Sequence, residues 1–228
     1  MWWVPVLNWF LCIGKSRKKM SKAYTVHLKD KIVSVKSDEL EKLSNYCGFS
    51  EDLKLRISKL FLLDLYIYFT EFGINPLEIV EEIDNLENGD ENTETKPATE
   101  FRRKPLKGLW HKHFFCRHFL AHNILNALGK NGIKDIIKNV MDESGNTHFS
   151  ESDLSEVARR ITNDPITQRA NDKKLTGEWI MFAKRNDKNY YLCMNTHEAG
   201  DQTIADRISE HCYEEFSFVK KLLETEGA

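Results

Sequence analysis

The hydrophobic positions along the chain change period several times, and each change predicts an element. Tyr24, Val26 and Leu28 alternate, Lys29-Asp30 turn the chain, and Ile32, Val33 and Val35 follow, which predicts a short strand pair. Ser37 reads as the N-cap of a helix carrying Leu40 and Leu43 and stopped by Gly48. Ser50 opens a longer helix over about 51–72, apolar on nearly all sides through Leu53, Ile57, Leu60, Phe61 and Tyr68, and therefore expected at the centre of a core. After Gly73, Pro76 at a first helical position opens a helix over about 76–87. Residues 88–97 are almost free of apolar side chains and read as a linker.

Beyond the linker, Phe115, Phe119, Ile124 and Leu128 give helical spacing over 108–128, with Gly129 closing it. Ile133, Ile136, Ile137 and Val140 mark a second helix, and Ser150 or Ser152 caps a third through Arg160. The period then shortens: Trp179–Ala183 and Tyr190–Met194 flank a polar Asn186-Asp187 turn, which predicts a β-hairpin. A helix over 202–213 and a strand at 216–219 finish the chain. The fold class expected is α+β: a mainly helical domain (20–87), an acidic linker (88–100), and a domain of helices packed on a small, mainly antiparallel sheet (101–228).

The opening stretch, MWWVPVLNWFLCIG followed by Lys15, Arg17, Lys18 and Lys19, has its positive charge after the apolar run, unlike a secretory signal. Fourteen helical residues reach only about 21 Å, short of the hydrocarbon core of about 30 Å, so no stable membrane insertion is expected. Residues 1–19 read either as a small membrane-surface anchor or as an extension ahead of an ordinary start at Met20. The five cysteines are odd in number and widely spaced, which suggests reduced thiols in a cytoplasm.

With 41% hydrophobic and 30% charged residues, the 228-residue chain has an ordinary globular composition. Its formal net charge of -2 argues against a polycation, but the average conceals a division. Residues 81–100 carry eight acidic groups and one basic, a net of -7; residues 102–138 carry nine basic and one acidic, a net of +8. In the basic stretch Arg102, Arg103, Lys104, Lys107 and Lys112 interleave with Trp110, a combination suited to phosphates and stacked bases. The acidic linker is expected to lie over this stretch as an electrostatic brake.

The same stretch holds the candidate chemistry. On a helix, His111, His118 and His122 share one stripe while His113 points elsewhere, and the i, i+4 pair His118/His122 could hold a zinc ion. Metal-free RNA cleavage needs a base for the 2′-hydroxyl, an acid for the leaving oxygen, and cations at the phosphorane. His111 or His113 could supply one of the pair and His197 the other, with Lys112, Arg117 and Lys184 around the phosphate. Tyr190 and Tyr191 alternate faces of their strand, so one can look into such a site while the other packs.

The runs KPLKGLWHKH (104–113) and TGEWIMFAKR (176–185), continuing into NYYLC (189–193), resemble the group of small nucleases that includes barnase, the EndoU ribonucleases, colicin RNases and RelE-type toxins, with their phage- and plasmid-borne relatives. The resemblance covers roughly 101–221. It implies an endoribonuclease or RNA-binding domain of a bacterial mobile-element or toxin-like protein that needs no cofactor. Catalytic residues vary within that group, so none is carried over, and residues 101–228 depart from its strongly basic members with 20 basic and 18 acidic side chains. A protein partner is expected for the helical N-terminal domain. Two other readings stay open: a non-catalytic regulatory interaction protein, and a metal-dependent hydrolase using His118 and His122.

Overall fold

Alternation in the first fifty residues builds a hairpin with one buried face. The computed structural model describes residues 10–12, 23–28, 31–90, 93, 95–114, 124–125, 127–145, 148–172, 178–196 and 199–224. Strand β2 (Ala23–His27) pairs antiparallel with β3 (Ile32–Lys36), setting Tyr24 opposite Val35 and Val26 opposite Val33, and β1 (Phe10–Cys12) adds to the other edge of β2. Phe10–Cys12, expected to lie outside the fold, is thus paired into this sheet.

Helix α1 (Ser37–Tyr46) starts one residue earlier than expected: Lys36 is the cap, and its N–H donates to Glu39 Oε2 at 2.7 Å. The single helix anticipated over 51–72 is two. Ser50 caps the short α2 (Glu51–Lys54), and α3 (Lys59–Phe72) begins after a break in which Ile57 bridges Tyr191. The Tyr191 N–H donates to Arg56 O at 2.8 Å and the Ser58 N–H to Tyr191 O at 2.9 Å, so strand pairing takes the backbone groups that a continuous helix would use. Ser58 then caps α3, accepting from the Phe61 N–H at 2.9 Å. Helix α4 (Pro76–Asn88) matches its expected Asn-Pro start, and Gly89, at φ 66°, ends it in the left-handed region.

The second sheet runs β4-β5-β6-β7, antiparallel throughout: β4 (Thr99–Glu100), β5 (Trp110–His113), β6 (Trp179–Arg185) and β7 (Lys188–Asn195). The expected hairpin is β6–β7. Asn186 and Asp187 sit at φ 51° and 57°, as a two-residue type I′ turn demands. Trp110–His113, expected to begin a helix, is a strand because β4 and β6 pair with it on both sides.

Helices α5 (Gly132–Ser144) and α6 (Glu151–Asn171) pack on each other, and α6 continues past the expected end at Arg160. Helix α7 (Asp201–His211) is as anticipated. Residues 216–219, expected as a strand, lead into α8 (Ser217–Glu224), because Phe216 and Val219, three apart, bury the same face. The architecture is α+β, and no helix among the described residues is long and apolar enough to cross a membrane.

The sheet's two faces fill two cores. Ile180, Phe182, Tyr191 and Met194 pack against α3 in a cluster that also holds Val26, Leu43, Phe61 and Ile83, whereas Met181, Ala183 and Cys193 lie with Ile204 and Ile208 of α7 and with Val219. The first cluster is continuous across residues 88–100, so that segment does not separate two cores. Most of its described residues are exposed, but two of them tie it to the core. Thr93 and Thr95 are buried, Thr95 Oγ1 donates to Glu82 Oε1 at 2.8 Å, and Thr99–Glu100 form β4.

A polar network at the other end of the interface includes Glu87, which accepts from Tyr191 Oη at 2.8 Å and Asn189 Nδ2 at 3.1 Å and pairs with Arg56. Burial pushes the Glu87 carboxyl up, but the bonds from Arg56, Tyr191 and Asn189 outweigh it and hold the group below its ordinary value. Its stabilisation is therefore present above the unfolded pKa and is lost as the pH falls through the depressed folded value. Tyr191→Phe removes a bond to this carboxylate and is expected to cost about 1.5–3 kcal/mol in urea denaturation at neutral pH, with the deficit shrinking under acid. A constant deficit would mean that Glu87 is not the partner that matters.

Candidate nucleic-acid interface

The β4–β5 connection, residues 101–109, is a tied loop. Leu106 and Leu109 are fully buried, the Phe101 N–H donates to Leu109 O at 2.8 Å, and the Gly108 N–H donates to Phe101 O at 3.0 Å. Gly108 holds φ 89°, and a Cβ there would stand 2.9 Å from Leu222 Cδ1, so α8 backs the loop. Anchored from within, the loop leaves Arg102, Arg103, Lys104 and Lys107 exposed, and none of the four forms an ion pair with a described residue.

Two further cations join at the same end of the sheet. Trp110 opposes Phe182, so the register sets Lys184 level with Gly108. Lys184 Nζ lies 3.9 Å from the centroid of the Trp110 ring, and the Arg185 guanidinium lies 5.0 Å from that of Phe218. The nearby acidic groups on these strands and their turn are Glu100 and Asp187, fewer than the cations they face. The outcome is a positive rim with half-buried aromatic rings under two of its charges. Arg185 and Phe218 were not among the residues singled out by sequence; the adjacency of Arg185 to Lys184 was the available signal.

The remaining candidates divide by strand face. Trp110 and Lys112 share one face of β5, and His111 and His113 share the other. Lys112 is 3% exposed: its Nζ donates to Thr93 Oγ1 at 2.7 Å and Lys96 O at 3.0 Å and stands 3.4 Å from Glu82 Oε2. It neutralises a buried carboxylate and does not reach a phosphate at the surface. His111 lies among rings, 4.7 Å from Phe101, 4.8 Å from Trp179 and 5.6 Å from His113 between centroids, and His113 is buried. Lys184, on the Trp110 face, is thus across the sheet from both histidines.

Tyr190 packs on Phe216 and Phe218 while Tyr191 points to Glu87, the alternation expected of neighbours on a strand. With His111 on a strand, the helical stripe of His111, His118 and His122 does not form. Arg117, His118, His122 and His197 lie outside the described residues. Among the described residues, no group of three or more His, Cys, Asp or Glu side chains could hold a metal ion. Among the described residues the thiols of Cys47, Cys193 and Cys212 are buried, and burial pushes Cys47 up to about 11 and Cys212 up to about 12, away from nucleophilic thiolate.

Beside the loop runs an open groove of about 500 Å³, lined by Lys104, Pro105, Gln202, Asp206, Ser209 and Tyr213 among others. It joins the positive rim through Lys104, and its far wall is the outer face of α7, where Gln202, Asp206 and Ser209 recur at helical spacing. Compared with known proteins, the chain matches no family, no curated protein and no solved structure.

Proposed function

We propose that the protein binds single-stranded RNA across the end of its second sheet that carries the 101–109 loop. The observation that supports this most is the set of four exposed cations, without an ion-pair partner among the described residues, on a loop fixed by buried leucines and continued by Lys184 and Arg185 over aromatic rings. Cations that outnumber the carboxylates near them gain most from a polyanion, since each contact releases condensed counterions. A base that displaces Lys184 or Arg185 from the rings of Trp110 and Phe218 meets the kind of stacking surface that sequence-tolerant single-strand binding uses. Cleavage by His111 with Lys112 and Lys184 draws no comparable support, because Lys112 is buried and Lys184 lies on the opposite sheet face.

The test is a fourfold variant with Arg102, Arg103, Lys104 and Lys107 replaced by glutamine, titrated with a labelled single-stranded RNA over a range of salt. Single-strand contacts contribute about 0.7 each to the slope of log K against log salt, so the variant's slope is expected to be shallower by about 3. Equal affinity and equal slope in the two proteins would sink the proposal.

A further inference from the structure

We infer that the groove beside the loop receives an unpaired nucleobase bearing an exocyclic amino group, while the adjoining phosphate rests on Lys104; this rests on the RNA-binding reading above. The groove is divided by charge. Lys104 belongs to the loop, whereas Asp206 on α7 and Glu224 at the end of α8 are exposed carboxylates in the lining. Ionised carboxylates only accept hydrogen bonds and repel phosphate, so the interior of the groove is unsuited to the backbone of an RNA whose backbone the rim attracts. It suits a base edge that offers N–H donors.

Asp206 is placed for that role by its own helix. Gln202, one turn earlier, donates from Nε2 to Asp206 Oδ1 at 2.8 Å, which orients the carboxylate and leaves its second oxygen as an acceptor. Apolar Ala205 and Leu223 and the ring of Tyr213 complete the lining, a surface on which a planar base can lie. The volume, about 500 Å³, is within the range of sites that enclose small ligands and leaves room for a base with its sugar. Cytosine, adenine and guanine carry an amine that a carboxylate accepts from, while uracil has a carbonyl oxygen where cytosine has its amine and keeps only N3–H as a donor on that edge, so it pairs less well with Asp206. The division of labour is then complete: the loop holds the strand whatever its sequence, and the groove selects among bases.

A short labelled oligouridylate and the same strand with one central cytidine form the discriminating pair, titrated by fluorescence anisotropy against the full-length protein and its Asp206→Asn variant. The cytidine strand is expected to bind the unmodified protein about tenfold more tightly, the scale of one good base contact. In Asp206→Asn the preference should vanish while the salt slope stays unchanged, because the loop cations are intact. Salt-dependent binding without a cytidine preference, or a preference that survives Asp206→Asn, overturns the groove assignment alone. Failure of both strands to bind overturns the RNA-binding reading on which it rests.

Discussion

Phe61→Ala is expected to lower stability by about 3–5 kcal/mol and to weaken the second sheet as much as the helical half in which Phe61 lies. The ring is fully buried on α3, meets Tyr191 of β7 edge to face at a centroid distance of 5.9 Å, and shares its cluster with Val26 and Leu43 on one side and with Phe182 and Met194 on the other. Removing it opens a cavity at the junction of both halves. The informative measurement is hydrogen exchange under mild denaturant, comparing amides of β2–β3 with those of β6–β7. Both sets should lose protection together and by the same free energy. Loss confined to β2–β3 would restore the picture of two independent domains, and loss in neither would remove Phe61 from the core.

That shared core explains which parts of the fold could be read in the sequence. The β6–β7 hairpin was legible because local signals agree: two aromatic-rich runs and an Asn-Asp pair able to take positive φ at both turn positions. Helix α4 was legible for the same reason, with Asn75, Pro76 and Gly89 marking its ends. Trp110–His113 was not, because four residues are too few to establish a period and the stretch fits a helix equally well. Its strand identity comes from β6, far along the chain, supplying the hydrogen bonds. The break between α2 and α3 has the same origin, since Ile57 pairs with Tyr191.

The candidate site was legible as charge but not as geometry. Arg102, Arg103, Lys104 and Lys107 stay exposed because they lie on a loop, but Lys112, two residues from Trp110 on a pleated strand, faces inward to Glu82. A count of basic residues cannot separate these cases. The acidic segment likewise gave an incomplete picture: Glu82 is a buried acceptor for Thr95 and the partner of Lys112, so part of the negative charge belongs to the core and is not available to screen the loop. Burial raises the Glu82 carboxyl, with Lys112 and Thr95 opposing the shift.

Arg207→Met is expected to cost a further about 3–5 kcal/mol by a different route, isolation of a buried charge. Arg207 on α7 donates to Asn195 Oδ1 at 2.8 Å and Met194 O at 3.2 Å and pairs with Asp64 of α3, whose other oxygen accepts the Met194 N–H at 2.9 Å. One guanidinium thus ties a helix from each side of the sheet to the end of β7. Burial pushes the Asp64 carboxyl above its ordinary value, opposed by the Arg207 charge and the Met194 N–H. Removing the guanidinium takes away the largest opposing influence, so the folded pKa of Asp64 should rise further. A raised folded value favours the native state below the unfolded pKa, and that advantage is lost as the pH climbs through the folded value. The variant's deficit should therefore be small in acid and grow toward neutrality, which urea denaturation across that range can follow. Adding Asp64→Asn to Arg207→Met removes the stranded charge, so the double variant should recover part of the loss at neutral pH and show no such growth. A deficit independent of pH, or a double variant no better than the single one, would mean that packing of the guanidinium, not its charge, is what holds α3 and α7 to β7.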